Sequence, residues 1–277
     1  MRFGLLGRKL GHSYSPQIHA LLGDYEYPLY EKEPEEIEEF MTSGEFDGMN
    51  VTIPYKETVI PYMSQLSDTA KKIGSVNTVT RMPDGKLYGD NTDYYGFSYL
   101  LDSAGFNVKD KKVIVLGNGG ASKTVVCVCT DKGAKEVTVI SRRSETDNYE
   151  NISKHSDADY IINTTPVGMY PNNGETPVDL GIFKQCKGVA DLIYNPSKTQ
   201  LLLDAQKLSI PSVNGLAMLC AQGVKAAESF TKQKYDNGKA LEITKKLRSY
   251  VNHFQTLSTQ ITTILSSLYL NFTVKSL

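Results

Sequence analysis

Gly117, Asn118, Gly119, Gly120 and Ala121 stand directly after the aliphatic run Val113–Leu116, inside the stretch KVIVLGNGGASKTVV that begins at Lys112. The run reads as a short strand buried on both faces, and the residues after the glycines can continue as a helix. Strand, glycine turn and helix N-terminus together make an anion site: glycine lets the backbone come close, and the free N–H groups of the helix point at a phosphate. A glycine pattern alone is weak, because any tight turn needs glycine. Here Gly133 can end the helix, and Glu136–Ile140 (EVTVI) reads as the next parallel strand, which is the spacing of a dinucleotide-binding unit. That strand runs into Ser141, Arg142, Arg143 and Ser144, with no acid before Glu145. An acid at this place would take ribose hydroxyls, whereas two arginines and two hydroxyls suit a 2′-phosphate. The expected cofactor is NADP; the alternative is a solvated basic loop.

Hydride transfer to a carbonyl also needs a proton donor near the oxygen and groups that hold the substrate's other polar atoms. Lys56 closes the segment Asn50–Lys56 (NVTIPYK), which follows a strand end, where ligands sit in α/β folds. By composition alone Lys56 is a surface lysine, and Asp93 and Ser15 are helix caps. The four histidines, His12, His19, His155 and His253, form no visible triad or metal set. The residues by themselves lead to a two-domain NADP-dependent enzyme of unknown substrate.

Composition narrows the classes. The chain has 277 residues, with 30 Lys+Arg against 31 Asp+Glu, which is room for one large or two modest domains. A net charge of -1 gives no electrostatic reason to expect nucleic acid or an anionic membrane. Cys127, Cys129, Cys186 and Cys220 form no CxxC pair; Cys127 and Cys129 lie in the proposed cofactor helix and read as buried thiols, which suits a reducing cytoplasm. No signal peptide and no run of about 20 apolar residues is visible.

The elements that must position these residues alternate along the chain. Strands are expected at Arg2–Leu6, Leu29–Lys32 and Asp47–Thr52. Helices are expected from Ser15, as cap, with Pro16 at the first position, through about Leu22, and from Pro34 to Gly44. Asp68–Ile73 is helical, with Ser67 or Asp68 as its cap; Pro83-Asp84-Gly85 turns a hairpin between Val76–Arg81 and Lys86–Tyr88; a helix follows over Tyr94–Ala104. From Lys112 strand and helix alternate to about Lys232, as a parallel doubly wound sheet requires. The expected fold is therefore α/β in two domains: an N-terminal α/β substrate domain (1–92 plus 215–250) and a Rossmann-like doubly wound NADP-binding domain (93–214), with the substrate in the cleft between. In the last 27 residues, from Val251, Phe254, Leu257, Ile261, Ile264, Leu265 and Leu268 fall at helical spacing, which suits either a packing helix or a frayed tail.

The chain to about residue 250 resembles the shikimate dehydrogenase family. The resemblance is carried by Gly11–Pro16 (GHSYSP), NVTIPYK at 50–56, Gly74–Thr78 (GSVNT) and Gly89–Asp93 (GDNTD). It continues through Gly117–Ser122, Asn163–Met169 (NTTPVGM), Asp191–Pro196 (DLIYNP) and Asn214–Gln222, all in that family's order. One such segment would mean little; the whole series in order is specific. It implies reversible NADPH-dependent reduction of 3-dehydroshikimate to shikimate, a step toward chorismate and the aromatic amino acids, by a cytoplasmic monomer or homodimer. Lys56 and Asp93 match the family's catalytic pair, the ammonium serving the developing alkoxide and the aspartate orienting it. Ser13 and Ser15 match the hydroxyls on the substrate carboxylate, and Thr52, Asn77, Tyr194 and Gln222 match groups around the ring hydroxyls. Gly117–Ala121 match the diphosphate turn; Thr164, Leu192, Gly215 and Met218 lie where the family meets the cofactor. Where the family often has Asn-Arg-Thr, this chain has Ser141-Arg142-Arg143. The resemblance leaves two alternatives: a quinate/shikimate dehydrogenase that accepts NAD, whose expected acid is absent here, and a non-catalytic regulator, which loss of Lys56 or Asp93 would have signalled.

Overall fold

A computed structural model describes residues 1–11, 13–236 and 238–249. The expectation of a tail helix falls on residues outside that range. The described chain is mixed α/β and is built on two sheets.

The first sheet contains β1 (Leu5–Gly7), β2 (Leu29–Glu31), β3 (Gly48–Val51), β4 (Gln65–Leu66), β5 (Thr78–Arg81) and β6 (Leu87–Asp90), in the order β2-β1-β3-β5-β6-β4. β1 runs parallel to β2 and β3, while β5 runs antiparallel to both β3 and β6. This reversal matters for function. The C-terminal ends of β1, β3 and β6 and the N-terminal start of β5 all lie on one edge, with Leu6 beside Val51, Asn50 beside Thr78 and Thr78 beside Asp90. The hairpin expected at Pro83-Asp84-Gly85 forms, with Gly85 at φ +83°, a conformation that glycine adopts freely.

The second sheet is wholly parallel, in the order β11-β10-β9-β7-β8, from β7 (Lys112–Leu116), β8 (Glu136–Ile140), β9 (Tyr160–Asn163), β10 (Gly188–Asp191) and β11 (Ser212–Asn214). All five C-terminal ends therefore share one edge. Both faces are covered: Val113, Val115, Tyr160 and Ile162 join one buried cluster, and Ile114, Leu116, Ile140, Ile161 and Val189 join the other. That is why β7 and most of β9 and β10 read as continuous apolar runs, whereas the edge strands β8 and β11 are more polar.

The two sheets are joined by α4 (Asp93–Ser103) and α7 (Leu216–Thr231). A Cβ on Gly96 would stand 2.6 Å from the Met218 carbonyl oxygen and 3.0 Å from Gln222 Cβ, so only glycine lets the start of α4 approach α7 this closely. A further helix over 239–249 contributes Ala240, Ile243 and Leu247 to the cluster around α7 and Ile18.

α1 (Ser15–His19) corrects the sequence reading at two points: it ends at His19 rather than near Leu22, and Tyr14, not Ser15, is its N-cap. Ser15 is the first helical residue, and its own N–H is bonded to the Ser13 hydroxyl at 3.2 Å. α2 spans Ile37–Ser43. The cap expected at Ser67 forms, its hydroxyl accepting from Ala70 N–H at 3.0 Å ahead of α3 (Asp68–Ile73). Asp93 is no cap either; Thr92 holds that position.

His19 is buried, stacked at 3.9 Å on Tyr27, with Nδ1 2.8 Å from the Tyr25 hydroxyl and Nε2 meeting no partner among the described residues. Burial pushes the imidazole down to about 3. Between about pH 6.5, its unfolded value, and pH 3 the unfolded chain takes up a proton that the folded chain refuses, so acidification costs stability in that window. The melting temperature should therefore fall less steeply from pH 6.5 to pH 4.5 in His19→Phe than in the parent. Equal slopes would remove His19 as a source of acid sensitivity.

Candidate active site

Most of the candidate residues sit beside strand ends, with Ser15 on α1 and Met218 and Gln222 on α7, and the topology decides which of them meet. On the first sheet's edge, the loop after β1 carries Ser13 and leads to Ser15, the segment after β3 carries Thr52 and Lys56, Asn77 precedes β5, and Asp93 follows β6. Lys56 Nζ lies 2.6 Å from Asp93 Oδ2, both side chains mostly but not wholly buried (20% and 13% exposed), so the pair is shielded yet open to a small molecule. The Lys56 carbonyl is fixed by Val76 N–H at 2.8 Å and Thr52 N–H by the Leu6 carbonyl at 2.8 Å, which anchors the segment after β3 to β1 and to the stretch ahead of β5.

Asn77 is buried and its oxygen is fully used. It accepts from Thr92 N–H at 2.7 Å, the Thr92 hydroxyl at 3.1 Å and the Thr78 hydroxyl at 3.0 Å. What Asn77 has left to offer is its Nδ2 donor, suited to a substrate oxygen. Asn50 supports this arrangement: its Nδ2 donates to the Asn77 carbonyl and to the Thr78 hydroxyl, both at 3.3 Å, and its Oδ1 accepts from the Tyr27 hydroxyl at 2.7 Å. Sequence reasoning quoted Asn50 within its segment but gave it no role, and Tyr27 carried no signal, because only burial makes their hydrogen bonds consequential.

On the second sheet's edge, Leu116 stands beside both Ile140 and Asn163, and Asp191 beside both Asn163 and Asn214. This register gathers Gly117–Ala121, Ser141–Arg143, Thr164, Leu192 and Gly215. Gly117 has φ +98°, and a Cβ on it would stand 2.8 Å from the Thr165 methyl and 3.0 Å from the Thr164 hydroxyl oxygen. A Cβ on Gly119 or Gly120 would meet nothing within 4 Å, so open space faces the start of α5 (Gly120–Asp131), and no side chain caps that helix. Uncapped N–H groups facing open space beside a glycine turn fit a dinucleotide's diphosphate. Cys127 and Cys129 are buried in α5 as free thiols, as expected, with Cys129 pushed up to about 12 by burial.

Ser141 is buried and starts a tight turn, with Ser144 N–H bonded to its carbonyl at 3.2 Å, that leaves Arg142 and Arg143 exposed. Among the described residues no ion pair engages either arginine. The aspartate nearest them in the turn, Asp147, is taken by Lys154 at 2.9 Å and His155 at 2.8 Å; Lys154 first and then His155 hold its carboxyl down to about 2. The guanidiniums are thus left for an outside anion.

The two edges face each other across α4 and α7. Tyr194, beyond β10, places its ring 5.5 Å from that of Tyr14, which lies between Ser13 and Ser15, so the second sheet's loop reaches the first sheet's hydroxyls. Burial, with Tyr14 beside it, pushes the Tyr194 phenol up to about 12 and keeps it a donor. Met218 and Gln222 are buried on α7 against the start of α4; the Gln222 amide nitrogen bonds the Leu219 carbonyl at 2.9 Å. Lys123 on α5 reaches Glu57, the neighbour of Lys56, at 2.6 Å. Among the described residues no group of acids, histidines and cysteines could hold a metal ion, and no helix is long and apolar enough to cross a membrane.

The geometry can be set beside known proteins. Residues 5–79 match the family model described as the shikimate dehydrogenase substrate binding domain. A shikimate dehydrogenase (NADP(+)) of Clostridium beijerinckii is 41% identical over 254 residues, covering 85% of this chain and 93% of that protein. The crystal structure of a chorismate mutase/shikimate 5-dehydrogenase fusion protein from Clostridium acetobutylicum superposes with TM-score 0.85 at 35% identity, over 90% of this chain and 98% of the other. Shikimate 5-dehydrogenase from Thermus thermophilus, solved in complex with NADP(H) and shikimate, superposes with TM-score 0.78 at 28% identity, over 89% of this chain and 98% of that one.

Proposed function

The chain belongs to the shikimate dehydrogenase family, and from that premise we propose how its own residues divide the work. The enzyme is an NADP-dependent oxidoreductase that interconverts 3-dehydroshikimate and shikimate. The Lys56–Asp93 pair at 2.6 Å carries the assignment of residues to that reaction: it is a shielded ammonium, held in place by a carboxylate, on the edge where the substrate-side residues converge. NADPH, when bound, supplies the hydride. Lys56 meets the carbonyl oxygen as negative charge develops on it and delivers a proton or a hydrogen bond there; Asp93 holds the ammonium in that position. Ser13 and Ser15 take the substrate carboxylate. Thr52, the Asn77 amide nitrogen, Tyr194 and Gln222 hold the ring hydroxyls. Gly117–Ala121 take the diphosphate, Ser141, Arg142 and Arg143 the 2′-phosphate, and Thr164, Leu192, Gly215 and Met218 the rest of the cofactor. In domain terms, 1–92 with 215–250 form the substrate-binding unit and 93–214 the NADP-binding unit. The enzyme works in the cytoplasm as a monomer or homodimer.

Initial rates with shikimate and with quinate, each with NADP+ and with NAD+, test this reading. The expected result is the highest kcat/KM for shikimate with NADP+; equal or better rates with quinate, or with NAD+, would overturn the substrate or cofactor assignment. The carboxylate site has its own test. A hydrogen bond to a charged group contributes roughly 1.5–3 kcal/mol, so Ser13→Ala should raise the KM for shikimate about tenfold or more, with the KM for NADP+ unchanged. An unaltered shikimate constant would take Ser13 out of the site. Ser15→Ala is a cleaner companion than the sequence implied, because Ser15 is not the cap of α1.

A further inference from the structure

Asp191, the last residue of β10, has no part in the scheme above, yet it is wholly buried. Its Oδ1 accepts from the Asn163 side-chain amide at 3.0 Å and from the Ile193 N–H at 3.1 Å, and its Oδ2 accepts from the Thr199 hydroxyl at 2.6 Å. The three donors come from different stretches of the cofactor edge. Asn163, gripped by its nitrogen, turns its oxygen to Thr165, accepting from that residue's N–H at 3.0 Å and hydroxyl at 2.7 Å. The Thr165 methyl lies against Gly117, the first glycine of the diphosphate turn. Ile193 stands between Leu192 and Tyr194. Thr199 caps α6 (Gln200–Lys207) and so closes the loop that carries them. One carboxylate thus ties together the ends of β7, β9 and β10.

A buried carboxylate is costly to desolvate, and an apolar side chain would fill the same space. What it gives in return is three directional hydrogen bonds, stronger than neutral ones when the acceptor is charged. Burial raises the carboxyl to about 6, while Thr199, Ile193 and Asn163 draw it down.

We propose that Asp191 is a positioning residue for the nicotinamide side of the cleft, holding Leu192–Tyr194 in register with Thr164–Thr165 and the glycine turn so that cofactor and substrate meet in line for hydride transfer. The inference rests on the roles given above to Leu192 and Tyr194. The residue touches no substrate; it acts through the loops it joins. Asp191→Asn keeps the shape but sets an NH2 group against one of three donors. Small misplacements of reacting groups reduce turnover by an order of magnitude or more. The kcat of the folded variant should therefore fall about tenfold, and the deuterium isotope effect on kcat, read with shikimate labelled at the oxidised carbon, should rise as hydride transfer becomes more rate-limiting. The KM for NADP+ should change by less than about threefold, because Arg142 and Arg143 lie on the turn after β8, which this network does not reach.

A lowered melting temperature with kcat and isotope effect unchanged would make Asp191 merely structural and overturn the proposal. If Asp191→Asn does not fold, Thr199→Ala and Thr199→Ser read the same property: both lose the methyl, but only the alanine loses the donor. A fall in kcat in the alanine variant alone supports positioning; equal behaviour overturns it. Leu192→Ala and Tyr194→Phe are measured in parallel. If both leave kcat and KM unaltered, the underlying roles fail and the proposal with them; if they alter these constants while Asp191→Asn does not, the positioning role alone fails.

Discussion

Lys56→Ala should lower kcat by about 10²–10⁴-fold, the range that a positioned general acid or base contributes. Substrate binding should change far less, because the bond from ammonium to oxygen strengthens as charge moves onto that oxygen, so its loss is felt in the transition state more than in the ground state. The geometry sharpens the expectation. Lys56 is held from two sides, by Asp93 at 2.6 Å and by the backbone bond from Val76 to its carbonyl at 2.8 Å. Lys56→Arg should rescue little, since the guanidinium stays protonated and its planar fork reaches differently from a point-like ammonium. Asp93→Asn should also cost rate by loosening the ammonium. If the two act as one unit, the double variant loses less than the product of the single losses. Steady-state rates of the parent and the four folded variants with shikimate and NADP+ decide the matter; near-normal kcat in Lys56→Ala would remove it from the mechanism.

How much of this could be read from the residues depended on whether the signal was local. The glycine turn was legible because strand, turn and helix follow one another within one segment, and the parallel sheet followed from apolar runs at regular spacing. The hairpin was legible because Pro83-Asp84-Gly85 sets its own turn. The cap of α1 was misread because Ser15-Pro16 is a common helix-start pair, whereas here the chain turns one residue earlier, at Tyr14. β4 was missed altogether: Gln65–Leu66 has no pattern of its own and exists only because β6 offers it an edge. The Lys56–Asp93 pair shows the deeper limit. Lys56 and Asp93 are 37 positions apart in the chain, and nothing in either neighbourhood states that they meet; the family resemblance supplied the pairing, and the antiparallel reversal at β5 explains it. The networks through Asn50 and Asp191 were invisible for a related reason. A buried Asn or Asp looks like any polar residue in sequence, and only its burial makes its hydrogen bonds obligatory.

The cofactor preference gives the second large effect. Replacing Arg142 and Arg143 together by alanine should raise the KM for NADP+ by about 10²-fold, since a phosphate loses charge-assisted and fork-shaped contacts at once. The KM for NAD+, which has no 2′-phosphate, should hardly move, so the ratio of the two kcat/KM values should collapse toward unity while kcat with NADP+ is largely kept. The turn supports this separation. Its backbone is tied by Ser144 N–H to the Ser141 carbonyl and by Ser141 N–H to the Asp147 carbonyl at 3.1 Å, bonds that side-chain truncation at the two exposed arginines leaves in place. Asp147 is engaged by Lys154 and His155, so the carboxylates of this loop that stand outside an ion pair among the described residues are Glu145 and Glu150, both exposed to solvent. The double-alanine variant should therefore lose NADP+ without gaining NAD+. Raising the salt concentration should weaken NADP+ binding in the parent and have much less effect in the variant, because exposed charges are screened over about 10 Å at 0.1 M. An unchanged NADP+ constant in the double variant would move the phosphate site away from this turn. A loss shared equally by NADP+ and NAD+ would show that the arginines support the fold of the loop rather than read the phosphate.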